Sequence, residues 1–167
     1  TIAQDIDGSC PGLVGFNIMV ATRDYEDYVR TAAEAGADVI ISGAGLPVDM
    51  PAYVEGTDTK IAPIVSSEKA ARIILKRWDK RFHRTADFLV IEGAHAGGHL
   101  GFSREQLTHL YEPDYDRQYE EEIRNIIACT NEYAVKYGTS IPVIVAGGIM
   151  NGQQTRHMLE LGAAGIQ

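Results

Sequence analysis

The segment Glu92–Phe102 reads EGAHAGGHLGF and sets two imidazoles and a carboxylate among four glycines. Glycines let backbone close on a flat ligand or a phosphate. An imidazole beside them takes or delivers a proton near pH 7. His99, flanked by Gly97, Gly98 and Gly101, is therefore the candidate acid–base residue, whereas His95 reads as a solvated turn histidine. Glu92, His95 and His99 also supply the ligand types of a two-histidine, one-carboxylate metal site. HxxxH brings its imidazoles together on a helix, however, and Gly97-Gly98 opposes helix formation, so no metal is expected. A second cluster is Val145–Ile149 (VAGGI), where a strand end, the pair Gly147-Gly148 and a helix start follow one another. That order makes an anion cradle from backbone N–H groups and the helix dipole. The third group is polar residues within apolar runs: Asn17 in GFNIMV, and Ser42 ahead of Gly43-Ala44-Gly45. A buried Asn must pair its amide with protein or with ligand.

Short apolar runs must position these residues. They are Val14–Val20, Ala37–Ser42, Lys60–Val65, Asp87–Glu92 and Ile141–Ala146, with a sixth opening at Gly165–Gln167. Each is continuously apolar instead of alternating, as strands buried on both faces of a parallel sheet are. Between them, apolar residues at helical spacing predict helices over Asp24–Ala35, Ser67–Phe82, Tyr119–Tyr137 and Gly152–Leu161. Ser67 stands where an N-cap belongs, and Gly36 and Gly138 where C-cap glycines belong. Strands recur every 23 to 27 residues, except for about 54 residues between Asp87 and Ile141. The result is a βα repeat with an insertion over Gly93–Tyr119, rich in glycine, histidine and tyrosine. Two architectures accommodate it, a doubly wound open sheet and part of a (β/α)₈ barrel, since a complete barrel takes roughly 250 residues. Pattern and length lean to the open sheet. Against it, the chain starts without Met and stops inside a strand, which reads as a portion of something larger.

The chain has 167 residues, 45% hydrophobic and 23% charged, which suits one globular domain. Fifteen Lys+Arg against 23 Asp+Glu give a net charge of −8, the wrong sign for a general nucleic-acid binder. No apolar run approaches the roughly 20 residues of a membrane span. Cys10 and Cys129 are widely spaced, and no secretion signal opens the chain, so a soluble cytoplasmic protein is expected. GxSxG and P-loop motifs are absent, and GxGxxG follows no strand, which weakens hydrolase and dinucleotide-fold readings.

Together, GFNIMVA at Gly15–Ala21, SGAGLP at Ser42–Pro47, IAPIVSS at Ile61–Ser67, EGAHAGGHLGF and PVIVAGGI at Pro142–Ile149 resemble the nitronate monooxygenase family, formerly called 2-nitropropane dioxygenase. Its close cousin is the FMN-dependent enoyl-acyl-carrier-protein reductase. The resemblance implies an α/β protein, an FMN-binding (β/α)₈ TIM barrel, of which residues 1–167 are a single partial domain. Its visible strands would be the third to the start of the eighth. The first two strands, with a QGGM-like segment, and a GT segment just after Gln167 would lie outside it. On this template His99 is the catalytic base and Gly97 and Gly98 lie beside the flavin. Gly147 and Gly148 cradle its phosphate, and Asn17 faces the isoalloxazine or ribityl side. Ser42 and Gly43 line the substrate side, while Glu92 orients the loop. The implied reaction is oxidation of a small-molecule nitronate or nitroalkane with O₂. Enoyl thioester reduction is the alternative activity, and a cofactor-free α/β fragment is the non-enzyme alternative.

Overall fold

A computed structural model of the chain describes residues 12–97, 108 and 112–167. Six parallel strands form one sheet: β1 (Gly15–Met19), β2 (Val39–Gly43), β3 (Lys60–Val65), β4 (Leu89–Glu92), β5 (Val143–Ala146) and β6 (Gly165–Ile166). Their order in the sheet is their order in the chain. A doubly wound sheet reverses direction at a switch point, whereas a barrel adds each strand to the same side of the last. The unreversed order therefore makes this part of a (β/α)₈ barrel and corrects the lean toward an open sheet. Among the described residues, no helix is long and apolar enough to cross a membrane.

Five described helices accompany the strands: α1 (Tyr25–Glu34), α2 (Met50–Tyr53), α3 (Glu68–Phe82), α4 (Tyr115–Tyr137) and α5 (Gly152–Glu160). Two depart from expectation. The short α2, with Pro51 in its first turn, has too few residues to show a period. Helix α4 starts at Tyr115, four residues early, so that Tyr115 and Tyr119 stack with rings 6.2 Å apart and 7° from parallel. Helix α3 follows its sequence signals closely. The Ser67 hydroxyl accepts the Ala70 N–H at 3.2 Å, and Ala71, Ile74, Leu75 and Trp78 are its buried stripe.

Strand register sorts side chains into two sets. Ile40, Ile61, Val65, Leu89, Ile91, Val143 and Val145 join the main core with the helices. Their alternates, Asn17, Ile41, Ala62, Ile64, Val90, Glu92, Ile144 and Ala146, face the other way, into the barrel interior. Apolar residues are required on both faces, which is why the strands do not alternate.

Helices α3 and α4 are tied at the far end from the strand tips. Lys136 Nζ donates to both Asp79 oxygens at 2.6 and 2.7 Å, and Tyr137 donates its hydroxyl at 2.8 Å. These donors, Lys136 first, hold the Asp79 carboxyl below the usual carboxylate range. A carboxyl depressed by folding adds stability above its unfolded pKa of about 3.9, which is lost as pH falls through the folded value. Asp79→Asn is accordingly expected to lower Tm at pH 7, with the difference from wild type narrowing steadily below about pH 4. Thermal melts across pH measure it. An equal deficit at pH 7 and at low pH would mean that packing, not charge, is what Asp79 contributes.

Candidate functional site

Strand tips at the carboxyl end are where a parallel barrel gathers its chemistry. Here β5 runs into Gly147 (φ 102°) and Gly148 (φ 75°), two consecutive left-handed turns that only glycine adopts without strain. A Cβ on Gly147 would sit 3.0 Å from the Gly93 carbonyl oxygen and 3.1 Å from the Ala96 nitrogen. On Gly148 it would sit 2.6 Å from the His95 Cβ. The two loops thus touch backbone to backbone; the Gly93 N–H to Ala146 O bond at 2.8 Å ties them, and the Ala96 N–H to Gly93 O bond at 3.0 Å closes the turn of the β4 loop itself.

Beyond the glycines, α5 begins with a reciprocal cap. Asn151 Oδ1 accepts the Gln154 N–H at 3.0 Å, and Gln154 Oε1 accepts the Met150 N–H at 2.8 Å. The nine-residue α5 thereby points its positive end at the strand tips, as an anion cradle requires. Asn151→Ala is expected to cost about 1 kcal/mol and to lower Tm by a few degrees, read by thermal melt. An unchanged Tm would mean that the Gln154 contact caps the helix by itself.

Behind the β4 loop, α4 supplies a brace. The Tyr115 ring meets His95 edge-on at 6.0 Å and stacks on Tyr119. A Cβ on Gly93 would fall 2.7 Å from the Tyr119 hydroxyl, so the phenol packs directly against that glycine. Burial raises the Tyr119 phenol well above its ordinary pKa, and the nearby Tyr115 and Glu92 add to the effect. It is a neutral, fixed wedge at any physiological pH.

These elements enclose a cavity of about 320 Å³ at the carboxyl end of the sheet. Asn17 enters it from β1, Glu92 from β4, Gly97 from the β4 loop, Gly147 and Gly148 from the β5 loop, with Ile64 between. Four sequence-predicted residues, Asn17, Gly97, Gly147 and Gly148, therefore converge from three separate elements. Gly98 and His99 lie outside the described residues. Ser42 is not brought to this cavity: it is fully buried on the helix-facing side of β2, beside Tyr25 of α1. Gly43 is buried on the interior side, where a Cβ would press within 2.8 Å of Ile64 Cδ1; its lack of a side chain seats the cavity wall. Sequence reading did not foresee that Glu92 lines the cavity itself. The signal was available, since Glu92 lies two residues after the interior Val90 on the same strand. A concave site with a glycine cradle and a helix terminus at one end, and the amide residues Asn17 and Gln167 on its lining, suits a flat, partly polar ligand with an anionic end at the cradle.

The model of the nitronate monooxygenase family matches residues 5–167. No curated protein matches the chain. Among solved structures it is similar to FabK from Thermotoga maritima, at 25% identity and a TM-score of 0.67 over 93% of this chain. It is similar also to a nitroalkane oxidase from Streptomyces ansochromogenes, at 22% identity and a TM-score of 0.57 over 86% of this chain. A mandelate oxidase variant solved with a monooxide FMN adduct matches at 19% identity, with a TM-score of 0.59 over 93% of this chain. The last two likenesses are of fold. The chain spans 40%, 36% and 48% of these three structures, less than half of each.

Proposed function

This chain belongs to the nitronate monooxygenase family, and we propose that it forms the third to eighth strands of an FMN-dependent enzyme oxidising nitronates, or nitroalkanes that yield them, with O₂. The observation that carries this reading is the cavity in which Asn17, Gly97, Gly147 and Gly148 meet at the carboxyl ends of the strands. The fit to a flavin mononucleotide rests on the cradle. Two left-handed glycines and the capped start of α5 suit a phosphate, and a Cβ on either glycine would drive the β4 loop away.

FMN, when bound, supplies the electron-accepting chemistry; the chain supplies position, a base and electrostatics. Gly147 and Gly148 would hold the phosphate through backbone N–H groups and the α5 dipole. Asn17 would offer its amide to the cofactor from β1, and Gly97, with Gly98 after it in sequence, would give it room beside the β4 loop. His99 removes the α-proton of a neutral nitroalkane and leaves the nitronate anion in place for oxidation to a carbonyl compound and nitrite. Gly43 borders the substrate side, with Ser42 supporting it from behind. The proposed setting is the cytoplasm, in keeping with an acidic chain whose two cysteines have no paired spacing.

A second reading, reduction of an enoyl thioester with NAD(P)H, is favoured by the likeness to FabK at a TM-score of 0.67. The spectrum of the whole protein that carries this chain separates the two. Flavin bands bleached anaerobically by an alkyl nitronate but not by NADPH support the oxidase reading. Bleaching by NADPH alone moves the assignment to the reductase, and a colourless protein overturns both.

A further inference from the structure

A second cavity, of about 350 Å³, lies at the opposite end of the sheet, between the connector that brings α2 to β3 and the one that brings α3 to β4. Arg81 and Arg84 line it from the α3 side, and Gly56 and Thr57 from the α2 side. Phe82 and the buried Pro51 give it an apolar flank. The facing turn is fixed without filling the space. Thr57 closes it, its N–H and its hydroxyl both donating to the Val54 carbonyl, at 3.2 and 2.8 Å. Gly56 (φ 81°) has nothing within 4 Å of its Cβ position, so this wall leaves room for a ligand.

The charge around this cavity runs against that of the chain. Lys76–Arg84 carries five of the 15 Lys+Arg and one of the 23 Asp+Glu. Two guanidiniums share one carboxylate: Arg77 and Arg81 both donate to Asp49 Oδ1, at 3.0 and 2.9 Å. Arg84 donates to Asp87 Oδ2 at 3.1 Å and to the Thr59 carbonyl at 3.2 Å, while Lys60 Nζ stands 3.6 Å from Asp87 Oδ1. Each cluster thus keeps one positive charge in excess, and Glu55 on the exposed rim offsets only one of the two. The negative end of the α3 dipole accounts for Lys80 and Arg81 in its last turn. It does not account for Arg84, which follows the left-handed His83 cap and still reaches the same cavity. A guanidinium has five N–H donors, so the bonds above leave both arginines able to take a further acceptor.

We propose that this cavity binds a phosphate monoester, its phosphate held between Arg81 and Arg84 and its small organic part lying along Phe82 and Pro51. Such an ester carries about −1.5 to −2 charge near pH 7, enough to answer both arginines, and its oxygens suit the planar fork of a guanidinium. A carboxylate would answer only one of them. The site is independent of the cofactor reading: it lies at the other end of the strands, and both its walls are within residues 51–84. Arg84 is already fixed by Asp87 and Thr59, so Arg81, 57% exposed and joined to Asp49, is the position to substitute.

The test uses the whole protein that carries this chain, loaded with flavin so that the proposed phosphate cradle is already filled. Glycerol 3-phosphate is titrated against the arginine Nε–H signals by NMR, with inorganic phosphate and glycerol as comparison ligands. The Arg81 and Arg84 signals are expected to shift saturably with glycerol 3-phosphate, more weakly with inorganic phosphate, and not with glycerol. Arg81→Gln is expected to weaken binding at least about tenfold, the loss of a charge-assisted pair. Asp49 keeps Arg77 in that variant. Arg81→Lys, which retains the charge but not the fork, is expected to lose less and serves if the first variant fails to fold. Lys80→Gln removes the same charge one residue away, outside the cavity lining, and is expected to change binding less than about twofold. Equal losses in Arg81→Gln and Lys80→Gln, or signals that do not move, overturn the site. Inorganic phosphate binding as tightly as the ester keeps the arginine clamp and removes the organic half of the proposal. A protein that takes up no flavin overturns the cofactor reading and is titrated in the same way, since these two signals report the opposite end of the strands.

Discussion

Gly148→Ala is expected to release the flavin at least about tenfold more readily than wild type and to lower Tm by about 5 °C. Two independent costs combine. An L-residue held at φ 75° costs roughly 1–2 kcal/mol, and the new methyl would lie 2.6 Å from the His95 Cβ. No rotamer relieves a Cβ–Cβ collision, so a loop must move. The β4 loop is the one that yields, because its hold on β5 is the Gly93 N–H to Ala146 O bond. Both halves of the proposed cofactor site then separate at once. Gly152→Ala is the control: it lies four residues on in the same segment, with nothing within 4 Å of its Cβ position. That change is expected to leave flavin content and Tm near wild type. Equal flavin retention and Tm in Gly148→Ala would remove the argument that the two loops form one interlocked cradle.

That interlocking was only partly legible in the sequence. The glycine pair after VIVA announced a tight strand-to-helix turn, and local turn chemistry is what short motifs encode. Nothing local announced that the turn would be pressed against Gly93–Ala96, some fifty residues earlier, because that contact exists only once β4 and β5 pair. Strand positions were readable for a related reason. Strands covered on both faces appear as uninterrupted apolar runs; β1 reads the same way in sequence, yet it is largely exposed here, Asn17 included. The same lack of alternation hid which face each residue takes. Asn17 and Ser42 look alike in sequence, polar residues in apolar runs, yet the register puts Asn17 inside the barrel and Ser42 under α1. Strand order was also beyond the pattern, because a βα repeat is compatible with a reversed or an unreversed sheet. The start of α4 was missed because Asp114 makes no side-chain cap bond and instead accepts from Gln118 at 2.7 Å. The stacking of Tyr115 on Tyr119 is a neighbour relation of an already formed helix.

His99→Ala is expected to lower kcat/KM for a neutral nitroalkane by about 10²–10⁴-fold, the usual contribution of a positioned general base. The pre-formed nitronate needs no deprotonation, so its oxidation should fall far less. The contrast isolates the role, because loss of binding or of fold would depress both substrates together. The pH profile adds a second readout. With wild type, nitroalkane kcat/KM should rise as the imidazole loses its proton. In His99→Ala that inflection should vanish, leaving only the rise that follows ionisation of the substrate itself. Equal losses on nitroalkane and nitronate would sink the proton-abstraction role, whatever the spectrum of the flavin. The neighbourhood makes the role physically reasonable. His99 follows a loop whose upstream end is pinned by Gly93 to β5 and wedged by Tyr119, a phenol kept neutral by burial. Misplacing a base by about 1 Å costs about 10²-fold, so the loss in His99→Ala should be read beside that of a variant that loosens Gly93.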